Sequence, residues 1–136
     1  MTERALQAVL AVVSVYHVVL GLMALVAPDT FFDQIGHYGI ENSHYVGDVG
    51  AFMLAFGVAA GIAIVKPSWR APIFWLGALW YGFHALNHAF DTGEAKSEAR
   101  GWSDTLLLAF GAVGAAWLAR VAERLNREST GGSAGG

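Results

Sequence analysis

The sequence predicts an all-α protein, a four-helix transmembrane bundle with a short interfacial helix after the first span. Its 136 residues suffice for one domain, and 55% of them are hydrophobic, with a mean hydropathy of +0.46. Charged residues make up 14% of the chain, against about 25% in ordinary soluble domains. Four apolar stretches approach or reach the roughly 20 residues that cross a hydrocarbon core. These three observations together favour a membrane protein.

The four stretches predict spans at about 5–27, 43–65, 70–91 and 103–125. The first three are long enough as they stand, and the fourth is long enough if Ser103 and Asp104 cap it at the interface. A soluble four-helix bundle is the alternative, but its helices need polar faces, and segments 54–65 and 106–118 have none. We therefore expect one membrane domain over 1–127 and a flexible tail with a Gly/Ser linker over 128–136.

Lysine and arginine indicate how the spans are oriented. Six of the eight lie at one set of predicted helix ends: Arg4, Lys66, Arg70, Arg120, Arg124 and Arg127. The positive-inside rule then places both termini in the cytoplasm, in a protein integral to the cytoplasmic membrane. The connections 28–42 and 91–101 face outward. Aromatic and apolar residues of the first connection predict a short helix in the headgroup region, with an ordinary polar loop as the alternative.

This orientation gathers the histidines of the spans toward the outer side of the bilayer. The intramembrane and rim groups are His17, His44, Asp48, His84, His88 and Asp104, whereas His37 is expected to be a solvated loop residue. His44 and Asp48 are spaced i and i+4, as are His84 and His88, so each pair shares one helix face. Ionisable groups at membrane depth are costly and are functional candidates by default.

Imidazole and carboxylate on two neighbouring helices suit zinc, copper or iron. The predicted metal ligands are His17, His44, Asp48, His84 and His88. Asn87 and Tyr81 are candidates to orient them through hydrogen bonds. We expect a metal-binding membrane protein whose site opens toward the outer leaflet. As an enzyme it would act on an apolar or amphiphilic substrate, with Asp48 or Asp104 handling protons.

Other functions of the same residues stay open. A haem held by His17 and His84 ranks below a bare metal, because an i, i+4 histidine pair would waste one ligand. A proton or cation transporter could use Asp48, His84 and His88 as a relay. A non-catalytic subunit could pack on a larger membrane partner.

Several functional classes lack support in the sequence. The net charge is −3 and no basic stripe appears, so we expect no nucleic-acid partner. The chain has no cysteine, which excludes disulfides and thiolate ligands. Small residues recur at 57 and 61 and at 111 and 115, a spacing that allows close helix packing within the chain or between copies in a homo-oligomer.

Gly21 and the segment Pro28 to Phe32 follow a first span that contains His17. This pattern resembles the DoxX-like group of small bacterial four-helix membrane proteins. The resemblance covers about the first third of the chain by pattern and the rest by topology. It implies a bacterial inner-membrane protein with four spans. It carries over no catalytic residue, and the paired histidines and carboxylate are not features of that group.

Overall fold

The computed structural model describes residues 1–36 and 38–131, with side chains through Ser129. Every regular element in these residues is helical. The order is α1 (Glu3–Val26), α2 (Pro28–Phe31) with a π-helical turn (Phe32–Gly36), α3 (Ser43–Val65), a 3-10 turn (Pro67–Trp69), α4 (Arg70–Phe90), a 3-10 turn (Thr92–Glu94) and α5 (Glu98–Gly131). Helix α5 includes residues 128–131 of the predicted tail. His37 and residues 132–136 lie outside the described residues.

Local sequence sets where the long helices begin. The Thr2 hydroxyl accepts from the Ala5 N–H at 3.3 Å and caps α1. The Asn42 side chain accepts from the N–H groups of His44 and Tyr45 at 3.1 and 3.3 Å and caps α3. Such caps satisfy N–H groups that have no partner inside the helix. Prolines at the first positions of α2 and of the turn Pro67–Trp69 fit sites where no N–H is needed.

Among the residues that the structure describes, three helices are long and apolar enough to cross a membrane: α1, α3 and the Glu98–Ser129 part of α5. Helix α4 has 21 residues but is not among them. Its C-terminal half carries His84, Asn87 and His88, which lower its mean hydropathy. Span 70–91 was expected to be long enough as it stands and span 103–125 only with Ser103 and Asp104 as a cap, whereas in the structure α5 has the length and hydropathy of a span and α4 does not. Four spans are therefore not confirmed by length and hydropathy alone.

The four long helices form two closely packed antiparallel pairs. Helix α1 packs on α3 so tightly that a Cβ on Gly21 would lie 2.5 Å from the Leu54 backbone nitrogen. A Cβ on Gly57 would lie 2.7 Å from the Val18 backbone nitrogen. Helix α4 packs on α5, where Gly111 lies against the Tyr81 ring. The small residues that the sequence singled out are thus used in helix packing within the chain.

One end of the molecule, here called the terminal end, holds the start of α1, the turn Pro67–Trp69 and the last third of α5. All four long helices share a core there, built from Leu6, Leu10, Phe56, Ala60, Ala63, Ala71, Ile73, Phe74, Ala119 and Ala122. The opposite end, here called the loop end, holds α2, residues 38–42 and the connection 91–97. A smaller hydrophobic cluster on that side contains Ala24, Phe31 and Met53. The larger hydrophobic core therefore lies at the terminal end.

Arg70 closes the terminal end. Its side chain is 4% exposed, and it donates to the carbonyls of Ala63 and Ile64 at 3.1 and 3.0 Å and to the Glu3 carboxylate at 2.9 Å. The two carbonyls belong to the last turn of α3, which leaves them without helical partners. One guanidinium therefore ties together the first residue of α4, the end of α3 and the start of α1.

Candidate functional site

A cavity of about 530 Å³ lies at the loop end, between the α1–α3 pair and the α4–α5 pair. All four long helices and the connection after α1 contribute to its wall. The apolar part includes Leu20, Phe31, Val46, Met53 and Leu108. The polar part includes His17, His84, His88, Arg100 and Asp104. Cavities of this size, mostly apolar with a few convergent polar groups, are typical of small-molecule sites.

His17 lies in the wall nearest the protein core and is 1% exposed. Its Nδ1 is 2.7 Å from the Val13 carbonyl oxygen, which can only accept, so Nδ1 carries a proton. In the neutral ring, Nε2 is then an acceptor, and the Tyr81 hydroxyl donates to it at 2.7 Å. Both nitrogens of His17 are engaged. Ligation of a metal or a haem by His17 therefore requires breaking one of these two hydrogen bonds.

Aromatic rings connect this pair to the other histidines. The Trp80 ring lies nearly parallel to Tyr81, with centroids 5.2 Å apart, and to His84, with centroids 6.3 Å apart. Phe56 contacts His17 edge-on at 4.8 Å and Trp80 at 5.5 Å. The stacked and edge-on arrangements are those that aromatic quadrupoles favour. They hold the cavity wall in one arrangement without any charged group.

His84 and His88 face each other on one side of α4, as their i, i+4 spacing predicts. Their Nε2 atoms are 3.0 Å apart, so one ring donates to the other. The edge of the Tyr38 ring packs on His88 with centroids 4.3 Å apart. The Nδ1 atom of His88 is buried and has no hydrogen-bond partner. Because almost none of its surface is accessible, a bound molecule can satisfy this nitrogen only after the imidazole ring rotates toward the cavity.

A charged pair stands where α5 meets the cavity. Arg100 Nε donates to Asp104 Oδ2 at 2.9 Å, and the Tyr38 hydroxyl donates to the same oxygen at 3.1 Å. Burial, followed by the Asp104 charge, raises the pKa of the Tyr38 phenol to about 12. Tyr38 therefore remains a donor over the whole physiological pH range. Through it, the connection after α1 is joined to α5.

Gly39 makes a second contact between the connection after α1 and the α4–α5 pair. Its φ of +63° lies in the left-handed region that glycine adopts without strain. Its N–H donates to the Glu94 carbonyl oxygen at 3.4 Å. The backbone thus turns sharply next to Tyr38 and contacts the 3-10 turn that follows α4.

His44 and Asp48 lie elsewhere. They form an i, i+4 pair on α3 with Nε2 3.7 Å from Oδ2, but their side chains are 81% and 68% exposed. Neither residue lines the cavity, whereas their neighbours Tyr45, Val46 and Val49 do. The spacing correctly placed the pair on one face, but that face does not turn toward His84 and His88.

The structure therefore brings together only part of the predicted site. His17, His84, His88 and Asp104 share one cavity, and His44 and Asp48 are outside it. Within residues 1–36 and 38–131, no group of three or more His, Asp or Glu side chains is arranged to hold a metal ion. Of the two predicted orienting residues, Tyr81 bonds to His17, and Asn87 donates to Asp91 at 3.1 Å.

Three contributors to the cavity were not singled out from the sequence: Tyr38 and Arg100 as partners of Asp104, and Trp80 as the stacking ring. The i, i+4 spacing of Arg100 and Asp104 was a usable signal for their pairing. Nothing local signals that Tyr38 reaches a residue 66 positions away. In comparisons with known proteins, no family model, curated protein or solved structure matches this chain.

Proposed function

We propose that the chain crosses the membrane four times, with both termini in the cytoplasm. Three helices are apolar enough to span. Helix α4 lies alongside α5, and its 21 residues extend about 32 Å, close to the roughly 30 Å hydrocarbon thickness. Its polar side chains turn into the cavity or the loop end, where burial within the protein reduces their cost. Membership of the DoxX-like group stays a prediction.

In this orientation the cavity opens in the outer half of the bilayer. The short helix Pro28–Phe31 and the turn after it lie at the level of the headgroups, with Phe31, Phe32 and Ile35 along the cavity wall. The excess of Lys and Arg near the terminal end supports this direction. A molecule dissolved in the outer leaflet can then reach the site by lateral diffusion.

We infer that the protein binds an amphiphilic small molecule in this cavity. The observation that carries the inference is the cavity itself: about 530 Å³, with apolar side chains on one part of its wall and His84, His88 and Asp104 on another. A ligand with an apolar body and a polar end satisfies both parts at once. Rotation of the His88 ring toward the cavity would offer its unpartnered Nδ1 to the polar end as a specific point of attachment.

Photo-crosslinking tests this function. The purified protein in lipid nanodiscs is irradiated with an aliphatic alcohol that carries a diazirine group, and labelled residues are mapped by mass spectrometry. We expect labels on Trp80 and Met53, which line the cavity. Leu108→Trp should fill the cavity and abolish those labels. Leu106→Trp is the matched control, since Leu106 is 54% exposed and does not line the cavity. Labels confined to outward-facing residues such as Val12 contradict the proposal.

A metal at His84 and His88 is the second candidate function. Their Nε2 atoms are 3.0 Å apart. Two imidazoles on one tetrahedral zinc ion have nitrogens about 3.3 Å apart, from Zn–N bonds of about 2.0–2.1 Å. A small rotation of both rings thus creates a two-histidine site. Water or the bound amphiphile would complete the coordination, as in catalytic zinc sites with open positions.

Metal content after equilibration with Zn²⁺, Cu²⁺ or Fe²⁺ tests the second candidate. We expect one ion per chain, lost in the His84→Ala/His88→Ala double variant and retained in the His44→Ala/Asp48→Ala double variant. The control pair has the same i, i+4 spacing but is exposed and outside the cavity. Equal metal content in the two double variants, or none in the unmodified protein, refutes metal binding at this pair.

A further inference from the structure

The ionised groups on the cavity wall are few. Among the described residues that line it, Arg100 and Asp104 are the only ones that carry a full charge at neutral pH. The other titratable lining groups are three histidines and four tyrosines: His17, His84, His88, Tyr16, Tyr38, Tyr45 and Tyr81. Imidazole ordinarily titrates near pH 6.5, so at pH 8 these histidines are mostly neutral. The net charge of the cavity wall at this pH therefore depends on Arg100 and Asp104.

The opposite charges of Arg100 and Asp104 cancel each other. Arg100 Nε and Asp104 Oδ2 are 2.9 Å apart, and the Tyr38 hydroxyl donates to the same carboxylate oxygen. The Asp104 side chain is 20% exposed and that of Arg100 is 49% exposed, so water screens the pair incompletely. A ligand that brought a net charge would find no uncompensated partner on the wall. Removing such a charge from water without a partner is unfavourable.

A further carboxylate lies just outside the cavity. Asp91 follows the last residue of α4, accepts from Asn87 at 3.1 Å and does not line the cavity. Among the described residues, no hydrogen bond joins the Asp91 carboxylate to Arg100, so the negative charge of Asp91 is not balanced by that guanidinium. It favours a cation over an anion at the cavity rim. The order expected from charge alone is therefore neutral, then cationic, then anionic.

The polar end of the ligand can also be narrowed down. His88 Nδ1 is buried and unpartnered, and it is a donor or an acceptor according to which ring of the His84–His88 pair donates. A hydroxyl group both donates and accepts, so it satisfies this nitrogen in either tautomer. An ammonium group with N–H bonds only donates, a trimethylammonium group neither donates nor accepts, and a sulfonate only accepts. The geometry therefore favours a hydroxyl as the attached group.

We propose that the cavity selects electroneutral amphiphiles with a hydroxyl end and discriminates against charged ones through the Arg100–Asp104 pair. This selectivity rests on the proposed binding function and adds the chemical class of the ligand. The pair acts by leaving no charge unbalanced, so changing either member should redirect the preference. That reversal by single substitutions distinguishes charge balance from simple exclusion of large headgroups.

Competition with the photo-reactive alcohol tests the proposal. The competitors are decanol, decanesulfonate and decyltrimethylammonium, which share one alkyl chain. They are used at pH 8 in nanodiscs of zwitterionic lipid, below the concentrations at which they form micelles, and each is corrected for its partition into empty nanodiscs. For the unmodified protein we expect decanol to compete at least tenfold better than decanesulfonate, with decyltrimethylammonium between them. A tenfold ratio corresponds to about 1.4 kcal/mol.

Substitutions in the pair supply the decisive comparison. Arg100→Gln leaves Asp104 unbalanced and should improve competition by decyltrimethylammonium about tenfold. Asp104→Asn leaves Arg100 unbalanced and should improve competition by decanesulfonate about tenfold. The Arg100→Gln/Asp104→Asn double variant should restore the preference for decanol. It also controls for misfolding, because it carries both substitutions and recovers the original selectivity.

Two results would overturn the proposal. One is a preference of the unmodified protein for either charged competitor. The other is the same order of competitors in both single variants, which would show that the pair does not set selectivity. Failure of the photo-reactive alcohol to label the cavity at all is a different result. It refutes the proposed binding function, and the selectivity falls with it.

Discussion

Replacing Arg70 by methionine should destabilise the protein by about 2–4 kcal/mol, because the buried guanidinium donates to backbone carbonyls at the end of α3 that have no helical partners. Arg70 Nε is the donor to the Ala63 carbonyl at 3.1 Å, and both partners are buried. Methionine has a helix propensity similar to that of arginine and an unbranched side chain, so the substitution tests the polar contacts rather than the helix. The orphaned Ala63 carbonyl should cost about 1–3 kcal/mol.

The other two contacts of Arg70 should contribute less. The Ile64 carbonyl also accepts from Gln7 Nε2 at 3.3 Å, so it keeps one partner in the variant. The Glu3 side chain is 62% exposed, and an ion pair with an exposed partner is worth about 0–1 kcal/mol. Glu3→Gln is therefore the matched control, with an expected loss of less than about 1 kcal/mol.

Reversible unfolding in mixed detergent micelles, followed by far-ultraviolet circular dichroism, measures these differences. We expect a clear loss of stability for Arg70→Met and a small one for Glu3→Gln. A buried charge also carries a desolvation cost, and replacing it with an apolar residue is sometimes neutral. Equal or greater stability of Arg70→Met would show that this cost outweighs the carbonyl contacts, and would refute the assigned role.

Three further predictions concern packing and hydrogen bonds. Gly21→Ala should destabilise by about 1–3 kcal/mol, because its Cβ would meet the α3 backbone at 2.5 Å, whereas Gly47→Ala meets nothing within 4 Å and should be neutral or stabilising in the same unfolding assay. Tyr81→Phe should cost about 1–3 kcal/mol by leaving His17 Nε2 buried without its donor, seen as a lower midpoint of thermal unfolding. The Tyr38 phenol should titrate near pH 12 in ultraviolet difference spectra against Tyr38→Phe; since an unfolded phenol titrates near 10, its stabilising contribution is full below about pH 10 and is lost as the pH rises toward 12. A Tyr38 titration near 10 in the folded protein would refute its bond to Asp104.

The helices were predictable because long apolar runs leave the backbone no other way to satisfy its polar groups in a bilayer. The predicted starts and ends agree closely with α1 and α3. The ranking of the last two spans was reversed, since the polar groups that α4 turns toward the cavity lower the hydropathy of the whole segment. The residues that face the cavity therefore weaken the hydropathy signal of the helix that contributes two of its three histidines.

The site was only half predictable for a geometric reason. Spacing of i and i+4 shows that two residues share a helix face, as His84 with His88 and His44 with Asp48 do. It does not show which way that face turns, which is decided by packing along the whole helix. On α3, the small residues Gly50 and Gly57 turn toward α1 and so fix the rotation of the helix. That rotation leaves His44 and Asp48 outside the cavity.

Arg70 shows the same difference between local and tertiary information. In the sequence it is one of six basic residues at the predicted cytoplasmic ends. In the structure it is 3% exposed and bonded to three groups on two other helices. Its neighbour Lys66, by contrast, lies with Nζ 5.1 Å from the Trp69 ring centroid, a local contact. Arg70 and Lys66 differ in that the guanidinium of Arg70 bonds to the buried end of α3, a tertiary contact that the sequence does not show.

The order of connections joins the two helix pairs through the backbone at the terminal end only. The loops at the open end each join helices of the same pair, so the backbone passes from one pair to the other only through the short turn Pro67–Trp69. That turn, with Arg70 beside it, is the hinge between the two pairs, and helix α4 extends about 32 Å from it. A rotation of about 5° at this hinge moves the helix ends at the loop end by about 3 Å. The hydrogen bonds from Tyr38 to Asp104 and from Gly39 to the Glu94 carbonyl both join the two helix pairs at the loop end, so these contacts oppose opening of the cavity there.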